Sequence, residues 1–533
     1  MTEQTFVSYV ELILDRLADD PGRTILTADD GRRIPAGEFH DSVLRMAVEL
    51  ADRGVERGST VAVFTGNRPE ALSARYAANL LGARAAFLYE GMAPATLATI
   101  VASLEAALLL VDPDAGEATD ALVARLRKRG EGAADRPAAP TVLSFGPSPL
   151  AEDLIACAAR HPVRRSAGAA RPEDDWSIRY TGGTTGIPKG IRMAHGPYRD
   201  LCLRAADPDA PPRLLACTSL AHMAGILADA TLLAGGHVVL RRAFDPRDVL
   251  AAVERERITD VFLLPPLLYR VIDALDKDGP ARTDTSSLRR LIYAGCAASP
   301  TRLRQAADLL GPVLHGWYGQ SEAGWISEVL PHEHTVTGHA GQITAGRAIP
   351  GVEIVVRDED GRELPPGEVG EVHVRSAQAM SGYWKQPELT AQVLREDGWL
   401  HTGDAGYLDE AGHLFLVDRL KDMIIVVGGH VYPAELEELL LTHPAVAHCA
   451  VFGVRRPDES EEVHAALVPA PGHRVDDELA KDIGEFVTAR MGAMYAPAAL
   501  HAVDHIPLTD VGKPDKKLLR ARAGTGAEAG AVR

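Results

Sequence analysis

The segment Tyr180–Gly190 reads YTGGTTGIPKG and is rich in groups that bind anions. Gly182 and Gly183 leave the backbone amides open to an oxyanion, Thr181, Thr184 and Thr185 add hydroxyl donors, and Lys189 adds a positive charge. Such a run can cradle the phosphates of a nucleotide. It is not a Walker loop, which needs Gly-Lys followed by Ser or Thr, because Lys189 lies between Pro188 and Gly190. Taken alone, it suits a phosphate loop and a plain Gly/Thr surface turn equally.

Four more motifs follow. They are Tyr318–Gly324 (YGQSEAG), Gly398–Gly406 (GWLHTGDAG), Val417–Tyr432 (VDRLKDMIIVVGGHVY), and Gly512-Lys513 after Pro507-Leu508-Thr509. In this order the five motifs resemble the adenylate-forming superfamily: acyl-CoA and aryl-CoA ligases, adenylation domains of peptide synthetases, luciferases and amide bond synthetases. The resemblance runs from about the first forty residues to about residue 520. It implies an α/β fold, with a large N-terminal adenylation domain of parallel-rich sheets flanked by helices over residues 1–417. A hinge at 418–421, a small mobile α+β lid domain at 422–522 and a disordered tail at 523–533 complete the expected organisation. It also implies a reaction in which a carboxylic acid and ATP give an acyl-adenylate and pyrophosphate, after which the acyl group passes to an acceptor.

That chemistry sets demands on side chains. A carboxylate attacking an α-phosphate brings one anion to another, so charge must be neutralised and the oxygens held in line. By its place in the motif, Lys513 resembles the lysine that bridges the carboxylate and the α-phosphate, whereas Lys516 and Lys517 read as solvated. Glu322 matches the family's magnesium carboxylate, and a hard cation among phosphates suits an oxygen ligand. Ser321 stands where threonine is more usual and can donate to the α-phosphate. Asp404 resembles the acceptor of two ribose hydroxyls, a task suited to an acceptor-only group, and Arg419 the donor to the same sugar. Tyr318 is expected to stack on adenine, with Gly295, Cys296 and Ala297 on its other face. Lys421 matches the hinge. The acid pocket is expected at His222, Met223, Gly295, Gly319 and Trp325, a mixed apolar set that suits an aryl or medium-chain acid. His222 also qualifies as a catalytic group that orients or deprotonates an amine, its alternative being a packed core histidine. ATP and Mg2+ are the implied cofactors, with coenzyme A as co-substrate.

The acceptor is less sharply marked. Coenzyme A ligases often carry Tyr-Lys-x-Pro late in the lid and Gly-Glu before a lid strand, whereas this chain has Tyr495-Ala496-Pro497 and Glu461-Glu462-Val463. An added carboxylate and a missing lysine do not favour an acceptor that carries phosphates. Amide bond synthetases pass the adenylate to a free amine and need neither feature, and loading of a carrier protein would share every motif. Thioester formation with coenzyme A is the expectation, as the commoner outcome in the family.

Two patterns imitate other chemistry. Gly319–Gly324 resembles a nucleophile elbow, but Ala323 occupies the position where Gly-x-Ser-x-Gly needs glycine. His332, Glu333, His334 and His339 lack the His-Glu-x-x-His spacing that places two imidazoles on one helical face, and read as a solvated loop.

The elements that must hold these residues read as alternating strands and helices. Strands are expected at Ser59–Thr65, Ala234–Arg241, Asp260–Leu264 and Arg290–Ala294, and a helix at Pro69–Leu81, an alternation that argues for parallel sheets flanked by helices. Arg129–Pro140 reads as a loop, and Gly351–Arg375 as an antiparallel pair. The lid is expected to hold a strand at Met423–Val427, a helix at Pro433–Leu440, and strands at Ala445–Gly453 and Val463–Val468.

At 533 residues with 46% hydrophobic content, the chain can bury at least two cores. A net charge of -18 argues against a nucleic-acid partner, which requires a basic surface. The five cysteines include no Cys-x-x-Cys pair, so neither a zinc site nor a disulfide framework is indicated and reduced thiols are expected. Met1–Ala18 lacks the basic start and long apolar run of a signal peptide, and no stretch reads as a membrane span. A cytoplasmic protein with no membrane partner is expected, and a homodimer is compatible with the resemblance.

Overall fold

The computed structural model describes residues 6–532 apart from 90–91, 114–115, 131–138, 166–167, 182–188, 279–282, 340, 420–423, 427–428, 456–460, 510–512 and 525–530. The chain forms two compact units. The first comprises residues 1–262, 281–291 and 377–392, the second 263–280, 292–376 and 393–533.

In the first unit, β1 (Arg84–Leu88), β2 (Asp175–Thr181) and β3 (Lys189–Ala194) belong to an eight-stranded sheet. Its order is Gly382–Tyr383, β3, β2, β1, Thr60–Phe64, Leu108–Val111, Thr141–Ser144, Glu152–Asp153. From β2 to the last strand all pairings are parallel, while β2–β3 and the pairing of Gly382–Tyr383 with β3 are antiparallel. Thr60–Phe64 is buried at every position, so its sequence TVAVF is a continuous apolar run rather than an alternating one. Helix Pro69–Leu80 begins with proline at its first turn, where a missing N–H costs nothing.

A second group of neighbouring strands in this unit runs Asp260–Leu263, Arg213–Ala216, His237–Leu240, Thr24–Thr27, Arg33–Pro35, parallel except for the final pair. Helix α1 (Met223–Leu233) lies between two of these strands in sequence. The strands expected near 59, 234, 260 and 290 are present within a few residues, the last at Arg290–Ala294 as read. Of the expected 129–140 loop, residues 131–138 lie outside the described residues, and the preceding helix runs to Gly130.

In the second unit, β4 (Leu314–Gln320) pairs antiparallel with Gly324–Val329. The expected antiparallel pair at 351–375 is Val352–Arg357 against β5 (Gly370–Ser376), and it extends through β6 (Leu400–Leu408) to Leu414–Arg419. The C-terminal part combines two helices and strands around its own core of Ile424, Leu436, Leu440, Val451, Leu467 and Ile483. Helices α2 (Pro300–Leu310) and α3 (Pro433–Leu441) meet here. Glu438 on α3 accepts from Ser299 Oγ at 2.7 Å, Thr301 Oγ1 at 2.9 Å and the Thr301 amide at 3.2 Å, placing a carboxylate at the positive end of α2. Within the expected tail, residues 523–524 complete the Lys516–Gly524 helix and Ala531–Val532 pairs with Ala499–Ala502.

The histidine-rich segment differs from its reading as a solvated loop. Pro331–Thr335 is a 3-10 turn in which buried Glu333 accepts the Leu330 amide at 2.9 Å. The Tyr293 hydroxyl lies 3.0 Å from His334 Nε2, and burial lowers the pKa of that imidazole. These polar groups cap and pack, a use that local spacing does not reveal. No helix among the described residues is long and apolar enough to cross a membrane.

Candidate active site

The glycine- and threonine-rich run joins β2 to β3. The two strands pair up to Thr181↔Lys189, so residues 182–188 form their connection. Gly182, Gly183, Thr184 and Thr185 lie outside the described residues, as does Lys421. The Lys189 ammonium stands over the Tyr383 ring at 5.2 Å. His222 and Met223 belong to the same unit, at the start of α1. The His222 ring stacks on Tyr89 with centroids 4.6 Å apart and an interplanar angle of 11°, and the Tyr89 hydroxyl lies 3.3 Å from Nδ1. Burial raises the pKa of that hydroxyl, keeping it a proton donor.

The second unit holds the other expected groups. Asp404, buried on β6, accepts through Oδ2 from the Tyr318 hydroxyl at 2.6 Å and from Gln320 Nε2 at 2.6 Å. Tyr318 and Gln320 are two apart on β4 and therefore share a face. Gln320 also donates to the Thr402 carbonyl at 2.8 Å, so it orients both the carboxylate and the turn before it. Asp404 pairs with Arg419 in backbone register. Tyr318 is thus tied by its hydroxyl to Asp404, and Gln320 orients that carboxylate although the YGQSEAG motif alone assigns it no role. The signal that could have found it is the alternation along β4, which puts it beside Tyr318.

Lys513 is brought to Gly295. The glycine follows strand Arg290–Ala294 with φ of +98°, and a Cβ built on it would lie 3.8 Å from Lys513 Cε. The backbone angle favours glycine, and the approach to Lys513 is an ordinary van der Waals contact. The Lys513 loop is closed by its carbonyl accepting from the Thr509 amide at 2.7 Å and its amide donating to Thr509 Oγ1 at 3.2 Å. Burial pushes the neighbouring Cys296 thiol up to about 12, with the charge of Lys513 opposing. Ala297 follows and is exposed.

Ser321 and Glu322, both half-buried, occupy the turn after β4. Gly319 is required where β4 approaches its partner strand, since a Cβ would sit 2.4 Å from the Gly324 carbonyl oxygen. Trp325 stacks on Trp317 at 4.0 Å.

Behind Asp404 lies a polar group absent from the motif reading. Glu371 and His373 on β5 and His401 on β6 have potential ligand atoms within 4.8 Å of one another. The hydrogen bonding argues against a metal. Arg395 Nε donates to His401 Nε2 at 2.9 Å, which places the ring proton on Nδ1, and Nδ1 then donates to Glu371 Oε2 at 3.1 Å. In this network Nδ1 offers no free lone pair to its neighbours. His373 Nε2 lies 3.4 Å from the same oxygen, and the Gly403 amide donates to Glu371 Oε1 at 3.1 Å. Burial would raise the Glu371 pKa, but the bonds from His373 and His401 prevail and hold it down at about 2. An ionised Glu371 therefore anchors Gly403, the residue before Asp404, whose φ is +67°.

Residues 14–384 match the AMP-binding enzyme family model, and residues 435–513 match the model of the AMP-binding enzyme C-terminal domain. The medium/long-chain-fatty-acid–CoA ligase FadD8 of Mycobacterium tuberculosis is 32% identical, over 97% of this chain and 90% of that protein. Feruloyl-CoA synthase from an Amycolatopsis species is 34% identical, over 93% of this chain and 95% of that protein. The solved structure of amide bond synthetase McbA from Marinactinospora thermotolerans superposes with a TM-score of 0.83 at 35% identity, covering 96% of this chain and 99% of that one.

Proposed function

Because the chain belongs to the AMP-binding enzyme family and is an adenylate-forming ligase, we propose that it activates a carboxylic acid with ATP and transfers the acyl group to coenzyme A. The observation that carries this reading is Lys513 standing against Gly295, in the same unit as an Asp404 pre-oriented by Tyr318 and Gln320. A cation there can offset the charge that builds as the acid carboxylate meets the α-phosphate. Asp404 and Arg419 hold the ribose in this reading, Ser321 is assigned to the α-phosphate, and Lys189 with residues 182–188 is assigned to phosphate by its sequence motif. Glu322 supplies the oxygen donor that Mg2+ prefers, and bound magnesium would neutralise phosphate charge. The adenylation domain spans 1–417 and the lid 422–522, turning at Lys421.

A second reading is transfer to a free amine. It is favoured by Ala496 in place of lysine, by Glu461 at the first position of a lid strand, and by the likeness to McbA over nearly the whole chain. Tyr495, beside Ala496, donates its hydroxyl to Glu435 at 3.0 Å.

The test has two stages. A panel of aryl and medium-chain acids with ATP and magnesium is screened by pyrophosphate exchange, and each active acid is then given coenzyme A or a primary amine in separate reactions. Thioester at the rate of adenylate consumption supports the first reading. Amide formed without coenzyme A, at that rate and saturating with amine, replaces it with the second.

A further inference from the structure

We propose that Arg179 selects acids that carry, besides the carboxylate to be activated, a second anionic or hydrogen-bond-accepting group. This rests on the reading of His222 as part of the acid pocket. Arg179 lies on β2 with only 9% of its surface accessible. Among the described residues its guanidinium makes no hydrogen bond and no ion pair, and it lies over the Trp176 ring at 5.0 Å. Arginine cannot relieve such burial by losing its proton, so the charge persists.

The nearby carboxylate does not serve it. Asp229 on α1 is engaged by the Arg75 guanidinium and by the hydroxyls of Tyr76 and Tyr198. Arg75 already balances that charge, which leaves one buried cation in excess, and burial lowers the Arg179 pKa accordingly. An uncompensated buried charge is costly unless an opposite group arrives.

The position of Arg179 indicates where that group would come from. β1 and β2 run parallel with Ala85 opposite Ser177. Alternation places Arg179 on the face of Ser177, and on β1 it places Ala85, Phe87 and, one residue beyond the strand, Tyr89 on that face. Arg179 and Tyr89 influence one another electrostatically, and Tyr89 stacks on His222 at the start of α1. A ligand lying along Tyr89 and His222 would therefore present its far end to a planar fork of donors. Carboxylates fit that fork in bidentate fashion, and phenolate or carbonyl oxygens fit it singly.

Matched acids test this: benzoate against terephthalate, octanoate against octanedioate, and cinnamate against 4-hydroxycinnamate, each in pyrophosphate exchange with the wild type, Arg179→Met and Arg179→Lys. The wild type is expected to favour the member with the distal acceptor in at least one pair by about tenfold or more in kcat/KM. Arg179→Met should bring that ratio near one, chiefly through KM, and Arg179→Lys should keep part of it. Arg179→Met should also melt no lower than the wild type, because an uncompensated charge is removed. Equal losses for both members of every pair, or a lower melting temperature restored by lysine without selectivity, would overturn the proposal. Exchange with none of the acids in the wild type would overturn the adenylation reading together with it.

Discussion

At the scale of single residues, Lys513 has the most to lose. If its ammonium acts on charge that develops only as the acid meets the α-phosphate, Lys513→Ala should lower pyrophosphate exchange by roughly a hundredfold or more while ATP binding stays within a few fold. Exchange kinetics beside calorimetric ATP titration measure both, and exchange at the wild-type rate would refute the role. Lys513 and Asp404 are legible in the sequence as candidates because each sits in a short motif. Gln320 and Glu371 could not be assigned so directly, since their bonds to Asp404 and Gly403 span 84 and 32 residues. A hydrogen bond between distant strands leaves no local pattern. What remained legible was alternation, which marks who shares a face but not who stands opposite.

Among elements, α1 is held at its first turn by a missing side chain. A Cβ on Gly225 would lie 2.0 Å from the Leu220 carbonyl oxygen and 3.2 Å from Arg75 Nη1. The first of these is backbone in the turn that presents His222, so it cannot swing aside. Gly225→Ala should destabilise the protein by about 1–3 kcal/mol and raise the KM for the acid more than that for ATP. Thermal melting and steady-state kinetics check the two parts, and an unchanged melting temperature would show that the turn yields easily. Strands and helices themselves were readable from apolar runs, proline starts and turn residues. The cap that Glu438 provides to α2 was not, because its partners lie 137 and 139 residues away.

For the molecule as a whole, two buried imidazoles make folding sensitive to acid. Burial lowers His195 to about 4 against the opposing pull of Asp174, and lowers His237 to about 4 with help from Arg213. His237 is held neutral by its partners: Arg213 Nη1 donates to Nδ1 at 3.3 Å, and Nε2 donates to Thr27 Oγ1 at 2.8 Å. Between about pH 6.5 and 4 the unfolded chain binds protons at these two sites that the folded chain refuses. Stability is therefore full above that window and falls as pH drops through it, for His195 at up to about 1.4 kcal/mol per pH unit. The melting temperature should fall between pH 7 and pH 5, and His195→Phe should make that fall shallower. A fall of the same size in the variant would remove His195 as a source.

The junction at Glu371 also constrains how the chain can change over generations. One carboxylate serves His373, His401 and the Gly403 amide at once, so a substitution at any of these alters what the others tolerate. Replacing Glu371 first strands two imidazoles and a backbone amide, whereas replacing the histidines first leaves a carboxylate with one donor. The order of mutation thus matters as much as its identity, and descendants that lose the carboxylate should carry compensating changes at 373 and 401 that preceded it.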